Sequence, residues 1–127
     1  METKPDLKKI LVVDDEPKMC ATLKKVLEAS DYAVEIAYNG NEGWEQVESF
    51  SPDCILLDMR MPGSNGFDLL KKVKSTYPET VVLVTTAVID ESMMRMCLQA
   101  GANAYLIKPI NFQKLLIQVE QYLNIQA

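Results

Sequence analysis

The chain of 127 residues contains no histidine, and its three cysteines lie far apart at positions 20, 54 and 97. Zinc sites are built from clustered Cys and His ligands, and disulfide frameworks use even numbers of cysteines. The sequence therefore indicates neither a zinc site nor a set of disulfide bonds. We expect Cys20, Cys54 and Cys97 to be buried thiols in a reducing cytosol.

The sequence also lacks an apolar run long enough to span a bilayer, and its first residues, METKPDLKK, do not resemble a signal peptide. A cytoplasmic location is the default expectation. The formal net charge is −5, whereas a nucleic-acid surface requires clustered Lys and Arg. We therefore expect no membrane partner and no direct nucleic-acid partner.

The composition, with 48% hydrophobic and 24% charged residues, is ordinary for a globular protein. A length of 127 residues suits one domain and allows a core without disulfides or structural metal. No internal repeat, low-complexity tract or linker interrupts the chain. We predict a single domain over residues 1–127, with its core between about residue 8 and about residue 123.

Short apolar runs alternate with amphipathic segments along the chain. The runs are KILVV (9–13), AVEIA (33–37), CILL (54–57), VVLVT (81–85) and AYLI (104–107). Four of them are nearly continuous, which is typical of parallel strands covered on both faces, whereas AVEIA alternates and is expected at a sheet edge.

A helical pattern follows each apolar run. The apolar residues at helical spacing are Cys20, Leu23, Val26 and Leu27; Trp44 and Val47; Phe67, Leu70 and Val73; residues 91–100, ended by Gly101; and Phe112, Leu115, Leu116, Val119, Tyr122 and Leu123. This order predicts an α/β fold with a doubly wound parallel sheet, in which ligands bind beyond the carboxyl ends of the strands.

Residues able to do chemistry stand at the predicted carboxyl ends of four strands: Asp14 and Asp15, Asp58, Thr86, and Lys108. Each has an ordinary interpretation when taken alone, as a helix cap, a turn residue, a strand-end hydroxyl or a solvated charge. For the acidic pair at 14 and 15, local sequence leaves helix capping and cation binding equally open. Together the residues place three carboxylates, a hydroxyl and an ammonium at one edge, which favours a functional site.

These segments resemble the receiver domains of bacterial two-component response regulators. The resemblance rests on LVVDDE, LLDMRMPGSNGFDLL, VTTA, AGANAYLIKP and the spacing between them, and it extends from about residue 8 to about residue 123. It implies a flavodoxin-like fold with five helices and five parallel strands in the order 2-1-3-4-5. We expect no output domain within this sequence.

The resemblance also implies an acceptor and a metal site. Asp58 matches the phosphoacceptor, and Mg²⁺ is expected on Asp14, Asp15, Asp58 and the backbone carbonyl of Arg60. The chemistry agrees with this implication, because a carboxylate attacks an anionic phosphoryl group poorly unless a cation offsets the charge. Mg²⁺ prefers oxygen ligands and keeps several waters, so few protein ligands suffice.

The remaining site residues are implied in the same way. Lys108 and Thr86 match the catalytic cation and hydroxyl, and Thr86 and Tyr105 match the pair that changes arrangement on phosphorylation. The Lys108–Pro109 peptide bond is expected to be cis, as in the family.

The sequence also supports expectations about residues close to Asp58 and Thr86. The turn after Asp58 contains Gly63 and Gly66, which permit the positive φ that a tight loop can need. Arg60 and Val88 flank the route by which water would reach the acyl phosphate, and are expected to affect its lifetime.

The function implied is that of a signalling domain and not of an enzyme with a separate substrate. It would accept a phosphoryl group from the phosphohistidine of a sensor histidine kinase and catalyse only its own phosphorylation and dephosphorylation. Its implied partners are that kinase and an output domain or partner protein, which would contact the face formed by the fourth helix, fifth strand and fifth helix. A second copy of the chain is a further candidate partner.

The fourth helical segment adds an observation about that face. Its residues Met93, Met94, Met96, Cys97 and Leu98 cover more of the helix than one sheet face can bury. We expect most of them to fill the core and one or two to be exposed at an interaction surface.

Other functions fit parts of the pattern. A Mg²⁺-dependent hydrolase of the haloacid dehalogenase type also forms an aspartyl phosphate, but its nucleophile ends strand one in a D-x-D motif and it needs room for a cap domain. A degenerate receiver that serves only as a binding module would lack site residues that are present here. A nucleotide-binding domain is disfavoured because no glycine-rich phosphate loop follows the first strand.

Overall fold

The computed structural model describes residues 7–61 and 64–124. Its main sheet contains β1 (Lys9–Val13), β2 (Ala33–Ala37), β3 (Cys54–Asp58), β4 (Val81–Thr86) and β5 (Ala104–Ile107). The helices are α1 (Pro17–Glu28), α2 (Gly40–Phe50), α3 (Gly66–Thr76), α4 (Glu91–Gln99) and α5 (Phe112–Asn124). All pairings in the main sheet are parallel and the strand order is β2-β1-β3-β4-β5. The predicted α/β architecture and strand order are confirmed.

Successive residues of each strand pack into two separate apolar layers. Leu11, Ile55 and Val82 point into the layer with α2 and α3, whereas their neighbours in the strands pack with α1 and α5. Because both faces are covered, the strands read as continuous apolar runs. The predicted edge strand is also confirmed: β2 lies at one edge of the sheet, with Glu35 exposed at its centre.

Helix α1 begins at Pro17, and its N-cap residue, Glu16, makes no side-chain cap hydrogen bond. Asp14 Oδ1 instead accepts a hydrogen bond from the backbone N–H of Glu16 at 3.0 Å, one residue before the helix. The acidic pair therefore does not cap α1 through its second or third N–H, as Asn39 and Asp90 do for α2 and α4.

Two details of the loops were anticipated and two were not. The Lys108–Pro109 bond is cis, and Gly101, with φ of +108°, ends α4 as predicted. The sequence permits positive φ at Gly66, but the structure does not use it there: among the described glycines Gly101 has positive φ, and Gly66 begins α3. Gly63 lies outside the described residues. The two-residue strands Arg60–Met61 and Ser64–Asn65, which pair antiparallel before α3, were not predicted either.

The three cysteines are buried, as predicted. In α4, Met96 and Leu98 are 51% and 45% exposed, which confirms that one or two of its apolar residues reach the surface. The expectation that most of the five fill the core holds only in part, because Cys97 is buried but Met93 and Met94 are half-buried. Within the described ranges, no helix is both long enough and apolar enough to cross a bilayer.

Candidate functional site

The parallel register brings four strand ends to one edge of the sheet, which we call the carboxyl edge. Val13 pairs with Leu57, so Asp14 and Asp58 follow directly in neighbouring strands. Asp58 in turn pairs with Thr85. One step further, Thr86 of β4 pairs with Ile107 of β5, and Lys108 comes next.

An acidic cluster lies at this edge. Asp14, Asp15 and Asp58 each contribute a carboxylate oxygen, and these oxygens lie within 4.8 Å of one another. Asp14 and Asp58 are 2% and 5% exposed, whereas Asp15 is exposed. Like charges brought this close are tolerated only where cations balance them.

Lys108 provides one such cation. Its Nζ lies 2.8 Å from Asp14 Oδ2 and 3.2 Å from Asp58 Oδ2. Burial acts to lower the pKa of Lys108, but the hydrogen bond that Lys108 donates to Asp14 and the charge of Asp58 outweigh that effect and raise the pKa above its usual value. The ammonium is therefore charged at neutral pH and joins the ends of β1 and β3.

Asp14 is hydrogen-bonded at every polar atom. Its N–H donates to the carbonyl of Ala37 at 3.0 Å, and its carbonyl accepts from the Cys20 thiol at 3.2 Å. Its two carboxylate oxygens accept from the Glu16 N–H and from Lys108. Burial, with the Asp14 charge as the next cause, raises the pKa of Cys20 to about 12, so the thiol stays a neutral donor.

Thr86 and Tyr105 are connected through the backbone of Val88. The fully buried Thr86 accepts a hydrogen bond from the Val88 N–H at 3.2 Å, and the Tyr105 hydroxyl donates to the Val88 carbonyl at 3.3 Å. The Tyr105 ring is half-buried against the apolar layer that includes Met93. Burial raises the pKa of Tyr105, and a weaker interaction with the Thr86 hydroxyl acts in the opposite direction. The sequence drew attention to the Val88 side chain, whereas the structure shows that its backbone makes the connection.

The acidic cluster suits a hard divalent cation. Its donors are all carboxylate oxygens, the ligand type that Mg²⁺ prefers, and their separation of at most 4.8 Å allows one ion to be reached directly or through water. Such an ion would offset the repulsion between the three carboxylates, as the contacts of Lys108 with Asp14 and Asp58 also do.

Another partly buried lysine lies at the opposite, amino edge of the sheet. Lys74 Nζ donates to the Thr80 carbonyl at 2.5 Å and to Asn103 Oδ1 at 3.0 Å, and makes a longer contact of 3.4 Å with the Pro78 carbonyl. Desolvation lowers the pKa of Lys74. A cavity of about 740 Å³ opens beside it, with Tyr122 among its lining residues.

Comparison with known families agrees with this geometry. Residues 10–120 match the model of the response regulator receiver domain. The chain belongs to the response regulator receiver domain family. Receiver domains are the signalling modules of two-component systems, and this one keeps a compact acidic cluster at the end of β1 and β3.

Relatives of this receiver domain include longer proteins. The chain is 36% identical over 116 residues to response regulator MprA of Mycobacterium ulcerans, covering 91% of this chain and 50% of MprA. It is 37% identical over 114 residues to the transcriptional regulatory protein ZraR of Salmonella typhimurium, covering 90% of this chain and 26% of ZraR. The chain thus spans about half, or less, of the length of these curated relatives.

A solved structure shares almost the whole fold. The receiver domain protein (CheY-like) from Methanospirillum hungatei JF-1 superposes with a TM-score of 0.91 at 33% identity, covering 95% of this chain and 97% of the other. Similarity at this level supports the same fold and the same family for the two chains.

Proposed function

We propose that the chain accepts a phosphoryl group on the Asp58 carboxylate from the phosphohistidine of a sensor histidine kinase. An oxygen of Asp58 forms the bond to phosphorus while the bond from phosphorus to the donor imidazole nitrogen breaks, and that electron pair leaves with the imidazole. The observation that carries the proposal is the contact of Lys108 with both Asp58 and Asp14 at the carboxyl edge. A cation that contacts the acceptor can also bond to the oxygens of a phosphoryl group attached to it.

Asp14, Asp15, Asp58 and the backbone carbonyl of Arg60 are the groups that we propose to hold Mg²⁺. When bound, the ion supplies positive charge that offsets the repulsion between the acceptor and an anionic phosphoryl group. Asp15, which is exposed, is suited to direct contact. Both carboxylate oxygens of Asp14 already accept hydrogen bonds, so we assign Asp14 to contact through water and to holding Lys108 in place.

The proposed response to phosphorylation begins at Thr86. A phosphoryl group on Asp58 would attract the Thr86 hydroxyl, which now accepts a hydrogen bond from the Val88 N–H. Turning away from that N–H would loosen residues 86–88, and the Tyr105 hydroxyl is held by the same Val88. The phosphoryl group can shift this equilibrium only by interacting differently with the two arrangements.

The output surface that we propose is the face formed by α4, β5 and α5, where Met96 and Leu98 are exposed. MprA is named a response regulator and ZraR a transcriptional regulatory protein. By analogy, the surface would act on an output domain, on a separate partner protein or on a second copy of the chain.

Phosphorylation by a small donor tests the proposal. With Mg²⁺ and acetyl phosphate, the wild-type chain should gain the mass of one phosphoryl group in intact-mass spectrometry, and Asp58→Asn should gain none. Asp53→Asn is the matched control: Asp53 lies at the amino edge, where its Oδ2 accepts from the Lys9 N–H, and Asn keeps an acceptor oxygen.

Three results would contradict the proposal in different ways. Equal labelling of Asp58→Asn would place the acceptor at another residue. An unlabelled wild-type chain would favour a degenerate receiver that only binds partners. Continuous turnover of small phosphoesters would favour the hydrolase.

A further inference from the structure

Gly66 begins α3 directly against the backbone of the acceptor. A Cβ added at Gly66 would lie 2.9 Å from the Asp58 carbonyl oxygen, 3.0 Å from Met59 Sδ and 3.1 Å from Met59 Cα. Real Cβ atoms essentially never approach a backbone atom that closely. Because the φ of Gly66 is not in the left-handed region, lack of space, and not backbone conformation, excludes a side chain here.

The atoms that Gly66 approaches belong to the peptide between Asp58 and Met59. The N–H of this same peptide donates to the Thr85 carbonyl at 3.0 Å. The peptide is therefore held between β4, which binds its N–H, and Gly66, which its carbonyl oxygen faces. A side chain at Gly66 would push the Asp58 carbonyl oxygen away while the Met59 N–H stays bonded to Thr85. The planar peptide would then rotate about its bonds to the Cα atoms of Asp58 and Met59.

We propose that Gly66 is a positioning residue for phosphoryl transfer, which rests on the phosphoacceptor function proposed above. Without a side chain, it lets α3 begin against the Asp58–Met59 peptide and so fixes the direction of the Asp58 carboxylate relative to Lys108. Turning this peptide would re-aim that carboxylate and shift the next residue, Arg60. Transfer reactions are sensitive to such changes, since a displacement of about 1 Å can cost roughly a hundredfold in rate.

The chain offers a matched control in Gly43, which is also a buried helical glycine. A Cβ at Gly43 would lie 2.9 Å from Leu69 Cδ2, and 3.4 Å from both methyl groups of Val13. Its tightest contact is thus the end of a flexible side chain, which can move, whereas that of Gly66 is backbone. Gly43→Ala and Gly66→Ala make the same chemical change and both remove a helical glycine.

The first measurement is the rate of labelling by acetyl phosphate in the full chain. Gly66→Ala should be labelled at least about tenfold more slowly than the wild type, and Gly43→Ala should stay within about twofold. Binding of Mg²⁺, measured by calorimetry, should weaken in Gly66→Ala only, because Asp58 and Arg60 are both displaced.

The second measurement needs neither metal nor phosphoryl donor. Hydrogen exchange of the Met59 amide should accelerate by about tenfold in Gly66→Ala, because the bond from this N–H to Thr85 is strained when the peptide turns. The Leu57 amide, within β3, should keep its wild-type exchange rate. A general loss of stability would accelerate both amides together.

The outcomes separate this inference from the proposed function. An unlabelled wild-type chain would overturn the proposed function itself. If the wild type is labelled and Gly66→Ala is labelled at the same rate, the inference about Gly66 is overturned and the proposed function is not.

The double variant Gly66→Ala/Met59→Ala removes the contact with Met59 Sδ but keeps the collision with the Asp58 carbonyl, so it should stay slow. Recovery of the wild-type rate would overturn the inference, because the Met59 side chain would then be the cause. Loss of folding in both Gly66 variants would also overturn it, because the close approach would then serve folding and not the acceptor.

Discussion

The carboxyl and amino edges of the sheet each hold a partly buried lysine, and the pKa values of the two lysines shift in opposite directions. Lys108, at the carboxyl edge, lies between two carboxylates, and its pKa is raised. Lys74, at the amino edge, donates to neutral oxygens of Thr80 and Asn103, and its pKa is lowered. Burial removes water from both ammonium groups and acts to lower the pKa of each. The neighbouring carboxylates at the carboxyl edge account for the difference.

This comparison shows which feature identifies a reactive site. The amino edge has a partly buried cation, Lys74, and an open cavity of about 740 Å³, and such features often mark a binding site. The hydrogen bonds of Lys74, however, go to backbone and amide oxygens, and they join α3 to Thr80, just before β4, and to the loop before β5. The carboxyl edge instead brings three carboxylates together around one lysine, an arrangement that is costly for folding and useful for chemistry.

Removing each lysine should therefore separate activity from stability. Lys108→Met should reduce labelling by acetyl phosphate by about a hundredfold or more, the usual effect of losing a charge-stabilising donor in a reaction site. Lys74→Met should leave labelling within about twofold and lower the free energy of unfolding by about 1–3 kcal/mol, because acceptors lose a buried donor. Labelling by mass spectrometry and urea unfolding check the two effects.

A similar change in labelling in Lys108→Met and Lys74→Met would contradict this distinction between the two edges. Equal losses of labelling would mean that the edges are coupled through the sheet. An unaffected Lys108→Met would remove the lysine from the transfer step.

Mg²⁺ should stabilise the wild-type chain through the carboxyl edge alone. At a concentration about 100 times its Kd, a ligand that binds only the folded state adds about 2.7 kcal/mol to the free energy of unfolding. Asp15→Ala should lose this gain. Without Mg²⁺ the same variant should be slightly more stable than the wild type, because one of three clustered negative charges is gone.

Urea unfolding with and without Mg²⁺ measures both effects, and Asp53→Asn, at the amino edge, should respond to Mg²⁺ as the wild type does. If Asp15→Ala were stabilised as strongly by Mg²⁺, Asp15 would not be a ligand.

The residues that meet at the carboxyl edge could be predicted from the sequence, whereas the contacts of Lys74 at the amino edge could not. Strand ends follow from local apolar runs, and parallel pairing brings their carboxyl ends together, so Asp14, Asp58 and Lys108 could be placed at one edge. Lys74 instead occupies an ordinary position in an amphipathic helix. Its side chain lies against Gly101, where a Cβ would be 3.0 Å from Lys74 Cγ, and such a long-range contact leaves no local pattern.

The close approach of Gly66 to Asp58, at the carboxyl edge, is also a long-range contact that leaves no local sequence pattern. A glycine in a turn-rich segment suggests positive φ, because that property is local. The structure shows ordinary backbone at Gly66 and a close approach to Asp58, which depends on how α3 packs against β3. The local sequence indicates only the backbone freedom of Gly66, whereas the structure shows that lack of space is what requires a glycine here.

Thr86→Ala should separate the site from the α4 surface. In the wild type, beryllofluoride with Mg²⁺, as a mimic of the phosphoryl group, should shift amide resonances near Asp58 and across residues 91–107. Thr86→Ala should keep the shifts near Asp58 and weaken those at 91–107, because the hydroxyl that contacts Val88 is lost. A coupling of about 1–3 kcal/mol would be typical.

Thr85→Ala is the control for that experiment, since Thr85 is also buried but its side chain points to the opposite face of β4. It should keep both sets of shifts. Unmoved resonances at 91–107 in the wild type, with the mimic bound, would show that the route through Val88 and Tyr105 is wrong.

The smallest expected effect tests whether the amino edge is structural only. The Tyr122 hydroxyl donates to the Asn103 carbonyl at 2.7 Å and so joins α5 to the loop before β5. Tyr122→Phe should lower the free energy of unfolding by about 0.5–1.5 kcal/mol, the net value of one hydrogen bond, without changing labelling at Asp58. Tyr38→Phe, whose ring is 44% exposed, should change stability little. Slower labelling of Tyr122→Phe at unchanged stability would contradict this expectation. It would mean that a change at Asn103 reaches Lys108 through β5, so that the two edges are not independent.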